Sequence, residues 1–293
     1  MSAFDLDVLV VGSLHLDIIV NAKALPVLDE TARGSSWRMA CGGKGGNQAC
    51  WAAKLGAKTA MISQVGDDDF GRRLLDNLKA SGVDSVGVST DPKTGSGMSV
   101  AILNQGGDYG AVIVSGSNLT LSENRLLQSM QRCGAPRLLV LQNEVEESVN
   151  VAAARQVKAV GGRVILNAAP ARDMPPSLAA MVDVLVVNRV EASMLSGHEV
   201  TTAETVAASL PRLCNFGRDI VVTLGGGGLV VAQLGQEPVI IAAIPTSVIS
   251  THGAGDCFVA QLAVSLAQNA NLIEAAKTAN QTAAAYVGGT LRA

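Results

Sequence analysis

Short apolar runs recur along the chain at Asp7 to Val11, Thr59 to Val65, Arg137 to Leu141, Arg163 to Leu166, Asp183 to Val187 and Asp219 to Leu224. Each has the length of a strand, is rich in Val, Ile or Leu, and shows no alternation, so both of its faces are expected to be buried. Between the runs lie segments with a helical period: Asn47 to Leu55, Phe70 to Ala80, Glu147 to Ala159, Glu191 to Ser196, Val206 to Leu213, Ala254 to Gln268 and Leu272 to Val287. Doubly buried strands that alternate with helices imply a mostly parallel central sheet covered on each side, a three-layer α/β/α domain.

The pattern changes at Asp17 to Ala40 and at Gly97 to Val114. There, alternating stretches such as Met98 to Leu103 and Ala111 to Val114 flank Gly106 and Gly107, the signature of hairpins with one open face. These segments are expected to meet as a small β-sheet lid, inserted at about 14–41 and 97–118 in a single domain over 1–293. No internal repeat, charge run or low-complexity linker marks a second domain.

Composition narrows the possibilities. Hydrophobic residues make up 48% of the chain but aromatics only 3%, so the core must be aliphatic. The net charge of -3, from 22 basic and 25 acidic residues, excludes a basic nucleic-acid binder. The 5 cysteines form no CxxC pair and no metal-ligand spacing, and read as reduced, mostly buried thiols of a cytoplasmic protein. Residues 1–13 carry no Lys or Arg ahead of their apolar run, unlike a signal peptide, and no stretch suits a membrane span. Trp37 and Trp51 read as packing residues and His15 as an exposed one.

Glycine is over-represented, at 31 residues, and it clusters. The clusters are Gly42-Gly43-Lys44-Gly45-Gly46-Asn47, Gly225 to Gly228, and Gly253-Ala254-Gly255-Asp256. None is a Walker A loop, and no GxGxxG follows the first strand, which disfavours a dinucleotide-dependent dehydrogenase. The third cluster runs straight into a helix, where unpaired backbone NH groups with little side-chain cover make an anion site. Asp256 in that first turn either offsets the helix dipole or takes a proton from a hydroxyl attacking a bound phosphate. The first cluster follows an expected strand at Trp37 to Ala40. It lets backbone approach a polyol with Lys44 and Asn47 as donors, or is a tight strand-to-helix turn. The middle cluster ends a strand, where α/β folds place ligands, or is a flexible turn.

In order and spacing these residues resemble the ribokinase-like, or PfkB, family of carbohydrate kinases from about Val8 to Val287. Gly42 to Ala49 resembles the first family signature, with Gly46 in place of an Ala, and Ser250 to Phe258 resembles the second. Between them, Leu166-Asn167-Ala168-Ala169-Pro170-Ala171 is similar to the family stretch LNPAPA, and Asn188-Arg189-Val190-Glu191-Ala192 to its NxxEA element. Gly12-Ser13-Leu14-His15-Leu16-Asp17 stands where the family has GS...D.

The resemblance implies an ATP-dependent kinase that phosphorylates a primary hydroxyl of a sugar, with ribose or a related pentose as the first reading. By the same resemblance Asp17, Gly43, Lys44, Asn47 and Glu144 hold the sugar, and Asp256 is the base. The NH groups of Gly253, Ala254, Gly255 and Asp256 stabilise the transferring phosphoryl group. Asn188 and Glu191 act near the phosphates and Mg2+, Glu191 through water. Thr223, Gly225 and Gly228 line the nucleotide, and Asn280 lies by the adenine. A homodimer that pairs the lids would cover their edge strands.

The chain departs from the family in places. Relatives carry Asp-Thr ahead of Gly-Ala-Gly-Asp, and that Asp helps ligate an activating monovalent cation. Ser250 stands there instead, which argues against K+ activation. His252 replaces a small or β-branched residue, and the short end after Gly288 implies a more open nucleotide pocket. A nucleoside kinase of the same family is the alternative, with Trp37 and Tyr109 as its stacking candidates. A weakly catalytic, ligand-sensing relative is the reading from another class, and the intact Gly253, Gly255 and Asp256 speak against it.

Overall fold

The computed structural model describes residues 4–104 and 109–291; Gly106 and Gly107 of the expected hairpin lie outside the described residues. The large sheet has nine strands: β1 (Leu6–Val11), β4 (Thr59–Gly66), β5 (Asp84–Asp91), β8 (Pro136–Gln142), β9 (Arg163–Asn167), β10 (Val184–Asn188), β11 (Asp219–Thr223), β12 (Leu229–Ala232) and β13 (Val239–Ile241). The small sheet has four: β2 (His15–Ala22), β3 (Gly34–Gly42), β6 (Gly97–Leu103) and β7 (Tyr109–Val114). The helices are α1 (Lys44–Lys54), α2 (Asp69–Ala80), α3 (Glu123–Cys133), α4 (Glu147–Ala159), α5 (Pro176–Ala179), α6 (Arg189–Ser196), α7 (Ala203–Leu213), α8 (Ala254–Ala267) and α9 (Leu272–Val287).

The large sheet runs β13-β12-β11-β10-β9-β8-β1-β4-β5, parallel from β11 to β5, with β12 and β13 added antiparallel at one edge. Alternate residues of each strand enter two separate cores. Leu9, Leu139, Leu185 and Val222 pack with α3 to α7, whereas Val8, Val140, Val186 and Val221 pack with α1, α2, α8 and α9. All eight side chains are at most 2% exposed, which explains runs without alternation. Burying each such side chain contributes about 1.5–3 kcal/mol before the cost of ordering the chain.

The small sheet runs β3-β2-β6-β7, antiparallel except for the central β2–β6 pair. It is tied to the large sheet at two places. Asn118 accepts from Leu14 N at 2.8 Å and donates to Leu14 O at 2.9 Å. Asp68, the N-cap of α2, accepts from Gly71 N at 2.7 Å and from Ser96 N at 2.8 Å, just before β6 begins. These two ties set where β2, and with it Asp17, stands over the ends of the large sheet.

Several expectations are corrected. The first helix begins at Lys44 rather than Asn47, so Gly45 and Gly46 are helical. Helix α3 and strands β5, β12 and β13 were not anticipated, although α3 carries Leu126, Met130 and Cys133 at helical spacing. His15 is buried, at 5% exposure, rather than exposed, because β2 packs it between β3 and β6. Trp51 packs in the core edge-on to Tyr286, with ring centroids 5.3 Å apart. Trp37 is 65% exposed on the outer strand β3, where nothing covers it among the described residues. Three cysteines are buried, Cys41 is half-buried and Cys214 exposed, and all five are free thiols. No helix among the described residues is long and apolar enough to cross a membrane.

Candidate active site

From β1 the chain proceeds to β4 and β5 on one side, and later from β8 to β9, β10 and β11 on the other. The carboxyl ends of β1 and β8 therefore bound the crevice in which open α/β sheets bind ligands. Ser13 after β1 donates through Oγ to Glu144 Oε2 after β8, and the same oxygen accepts from Lys44 N at 3.0 Å. Gly43 makes this approach possible. Its φ is 86°, and a Cβ there would lie 2.8 Å from His15 N and 2.9 Å from the Leu14 Cα. Only glycine accepts both the left-handed backbone and the contact.

Helix α8 opens on Gly253, whose φ of 82° turns the chain into the first helical turn. The Ala254 NH donates to Thr251 O at 3.2 Å, so of the NH groups expected to face an anion this one is already engaged. Asp256 is buried, at 8% exposure. Its Oδ2 accepts from Asn47 Nδ2 and its Oδ1 from Gln48 Nε2, both at 2.9 Å. Burial pushes the carboxyl above the usual carboxylate range, and the Lys44 cation with the Asn47 and Gln48 amides pulls partly back.

Asn188 and Glu191 cap α6 reciprocally. Asn188 Oδ1 accepts from Val190 N at 2.8 Å and Glu191 N at 2.9 Å, and Glu191 Oε2 accepts from Asn188 N at 2.8 Å. Glu191 is 9% exposed, and burial raises its pKa against the opposing Asn188 NH and Lys44 charge. Glu191 lines the cleft with one oxygen held by the cap, which leaves a single carboxylate oxygen uncommitted. That suits a hydrated Mg2+ held mostly by phosphates and water, and does not suit an all-protein cage. No cluster of three or more metal-ligating side chains occurs among the described residues.

A cleft of ≈ 220 Å³ joins Lys44, Asn188, Glu191, Thr223, Gly255 and Asp256. Asp17 stands on the small-sheet side, accepting from Ser99 Oγ at 2.5 Å. Asn280 is set apart from this cleft and donates to Ala242 O at 2.9 Å. Gly228 approaches the same segment: with φ 84°, a Cβ there would lie 2.2 Å from Ile241 O and 2.7 Å from Ala243 N. Gly225 begins the short 3-10 turn that precedes it. Beside Asn280, an open cleft of ≈ 480 Å³ is lined by Ile244, Thr246, Gln281 and Gly288. Sequence reasoning missed Ser13 and Ser99, which orient Glu144 and Asp17, and Gln48, the second partner of Asp256. Gln48 and Ser13 had a signal, as each stands inside a quoted motif, Gly42 to Ala49 and Gly12 to Asp17; Ser99 had none.

A doubly wound sheet with an inserted small sheet, whose glycine-opened helix presents a buried carboxylate to a cleft, is the arrangement that the resemblance to carbohydrate kinases implies. The chain matches the pfkB family of carbohydrate kinases over residues 5–290 and belongs to that family. It is 34% identical to a deoxyribokinase of Salmonella typhi over 289 residues, covering 97% of this chain and 93% of the relative. To a ribokinase of Mus musculus it is 33% identical over 290 residues, covering 97% and 89%. The structure of Arabidopsis thaliana ribokinase complexed with ribose and ATP is similar at TM-score 0.88 and 29% identity, over 98% of this chain and 93% of that one.

Proposed function

We propose that the protein transfers the γ-phosphoryl group of ATP to a primary hydroxyl of ribose or a closely related pentose. The observation that carries this reading is Asp256: a buried carboxylate at a helix N-terminus, held by two amides and facing the cleft that Lys44 and Glu191 share. Asp256 removes the hydroxyl proton as the hydroxyl attacks. The first-turn NH groups of α8 other than that of Ala254, which Thr251 O holds, then face the charge that develops on the phosphoryl oxygens. Asp17, Glu144, Asn47, Lys44 and the Gly43 backbone hold the sugar, since a small polyol needs several donors and acceptors at once. The raised pKa of Asp256 brings it nearer to the pKa that suits a base at neutral pH.

ATP lies across the two clefts, with its phosphates near Asn188 and Thr223. Its purine lies toward Asn280, Gly225 and Gly228, beside the wider cleft. Mg2+, when bound, neutralises phosphate charge, and Glu191 holds it through water. The small sheet closes over the sugar as a lid and excludes water. Its exposed apolar side chains, Trp37, Val112, Ile113 and Val114, are each at least 51% exposed and support a homodimer through the lids. The five free thiols support a cytoplasmic setting.

The test is ADP release with ATP and a panel of pentoses, hexoses and nucleosides. Turnover is expected on ribose or 2-deoxyribose, and a preference for nucleosides or hexoses would overturn the substrate assignment.

A further inference from the structure

Behind Asp256 lies a chain of buried carboxamides that the reaction as described does not use. Gln48 Nε2 donates to Asp256 Oδ1 at 2.9 Å and to Asn167 Oδ1 at 3.1 Å, so both hydrogens of its amide are committed. Its Oε1 can then only accept, and it takes the Gln142 Nε2 hydrogen at 2.7 Å. Asn167 Nδ2 in turn donates to Val186 O at 3.3 Å. Gln48 and Gln142 are at most 1% exposed, so water does not replace the bond between them, while Asn167 and Asp256, each 8% exposed, border the cleft. Gln142 Oε1 has no partner among the described residues. It fits only because residue 12 is glycine, where a Cβ would lie 1.9 Å away.

The pattern permits one orientation of Gln48. Turning the amide over would set its oxygen against both Asp256 Oδ1 and Asn167 Oδ1, and its NH2 against that of Gln142. We propose that Gln142 and Asn167 lock Gln48 as a one-way donor to Asp256, making Gln48 the positioning residue that keeps the catalytic carboxylate ionised and aimed. This rests on the kinase reading above. Other charged or titratable groups around Asp256 are Lys44 from α1, Glu144 after β8, Glu191 from α6, and Cys257 and Tyr286 from α8 and α9. Among the groups that favour the ionised form, Gln48 and Asn47 are the two that hydrogen-bond the carboxylate.

The experiment is the pH profile of kcat for wild type, Gln48→Met and Gln142→Met in the intact protein with ATP and the preferred pentose. A methionine keeps the volume and removes the amide. Losing one hydrogen bond to a buried carboxylate is expected to move the acid limb up by about one pH unit or more in Gln48→Met. kcat then falls at least about tenfold below the limb and recovers toward high pH, with KM for the sugar nearly unchanged. Gln142→Met, which does not touch Asp256, is expected to shift the limb in the same direction by less. An acid limb that stays at the wild-type position in active variants overturns the proposal. So does a uniform loss at all pH values, or failure of both variants to fold, since the amides would then be structural. Wild-type turnover in the same assay judges the kinase reading separately.

Discussion

Replacing Asp256 with Asn separates the charge of this residue from its shape. Asn is nearly isosteric, so Asp17, Lys44, Asn47 and Glu144 keep their places and sugar affinity should change little. The variant lacks a base, and loss of general base catalysis lowers kcat by roughly 10²–10⁴. Stability follows from the two hydrogen bonds to the carboxylate. The Asn side chain has one acceptor for two donors, so one buried NH of Asn47 or Gln48 faces another NH2, at a cost of about 1–3 kcal/mol. Against this stands relief of a buried charge near Glu144 and Glu191.

That relief depends on pH with a definite sign. The folded pKa of Asp256 is raised, so the folded protein holds this proton more tightly than the unfolded chain. The wild type therefore loses stability as pH rises from the unfolded carboxylate pKa through the higher folded value, and the variant does not. The melting temperature of Asp256→Asn minus that of wild type should become more positive between pH 4 and pH 8. Two assays check this: ADP release at saturating sugar, and thermal melting across that pH range without ligand. Turnover within tenfold of wild type, or a melting difference that becomes more negative with rising pH, would refute the reasoning.

Two neighbouring glycines should respond in opposite ways to alanine. Gly228→Ala forces a Cβ to 2.2 Å from Ile241 O at φ 84° and is expected to lower the melting temperature by several degrees. Gly226→Ala meets nothing within 4 Å and is expected to leave melting nearly unchanged; equal effects would contradict the geometry. With an exposed Ser250 at the position where the family resemblance implies a cation-binding Asp, turnover is expected to be the same in K+ and in a tetraalkylammonium salt. A large stimulation by K+ would show that other groups complete a cation site. A lid-paired homodimer is expected to dissociate in Trp37→Glu, read by sedimentation; an unchanged mass, or a monomeric wild type, would remove it.

The central strands were legible because each is buried on both faces, so Val8 to Val11 or Val184 to Val187 gives a continuous apolar run. Helix α3 was legible too, since Leu126, Met130 and Cys133 recur at helical spacing and pack on the core, but its mostly polar remainder hid it. Strands β12 and β13 follow the glycine turn as short edge additions, with too few residues to set a period. In the site, residues inside contiguous motifs could be read: Gly43, Lys44 and Asn47 in one, Gly253 to Asp256 in the other. The partners of their supports could not, even for Ser13 inside the Gly12 to Asp17 motif. Ser13 meets Glu144 across 131 positions and Ser99 meets Asp17 across 82, contacts that exist only once β1 lies beside β8 and β2 beside β6. The excess of glycine is likewise only partly a matter of ligand approach, since Gly228 is required by the backbone of Ile241 and Ala243.

The most direct measurement is proton-coupled phosphorus NMR of the product formed from ATP and ribose or 2-deoxyribose. Transfer to the primary hydroxyl predicts a new phosphate ester resonance split into a triplet by two methylene protons, growing as ADP appears. No new ester with any pentose, or a doublet from phosphate on a ring carbon bearing a single proton, would contradict it.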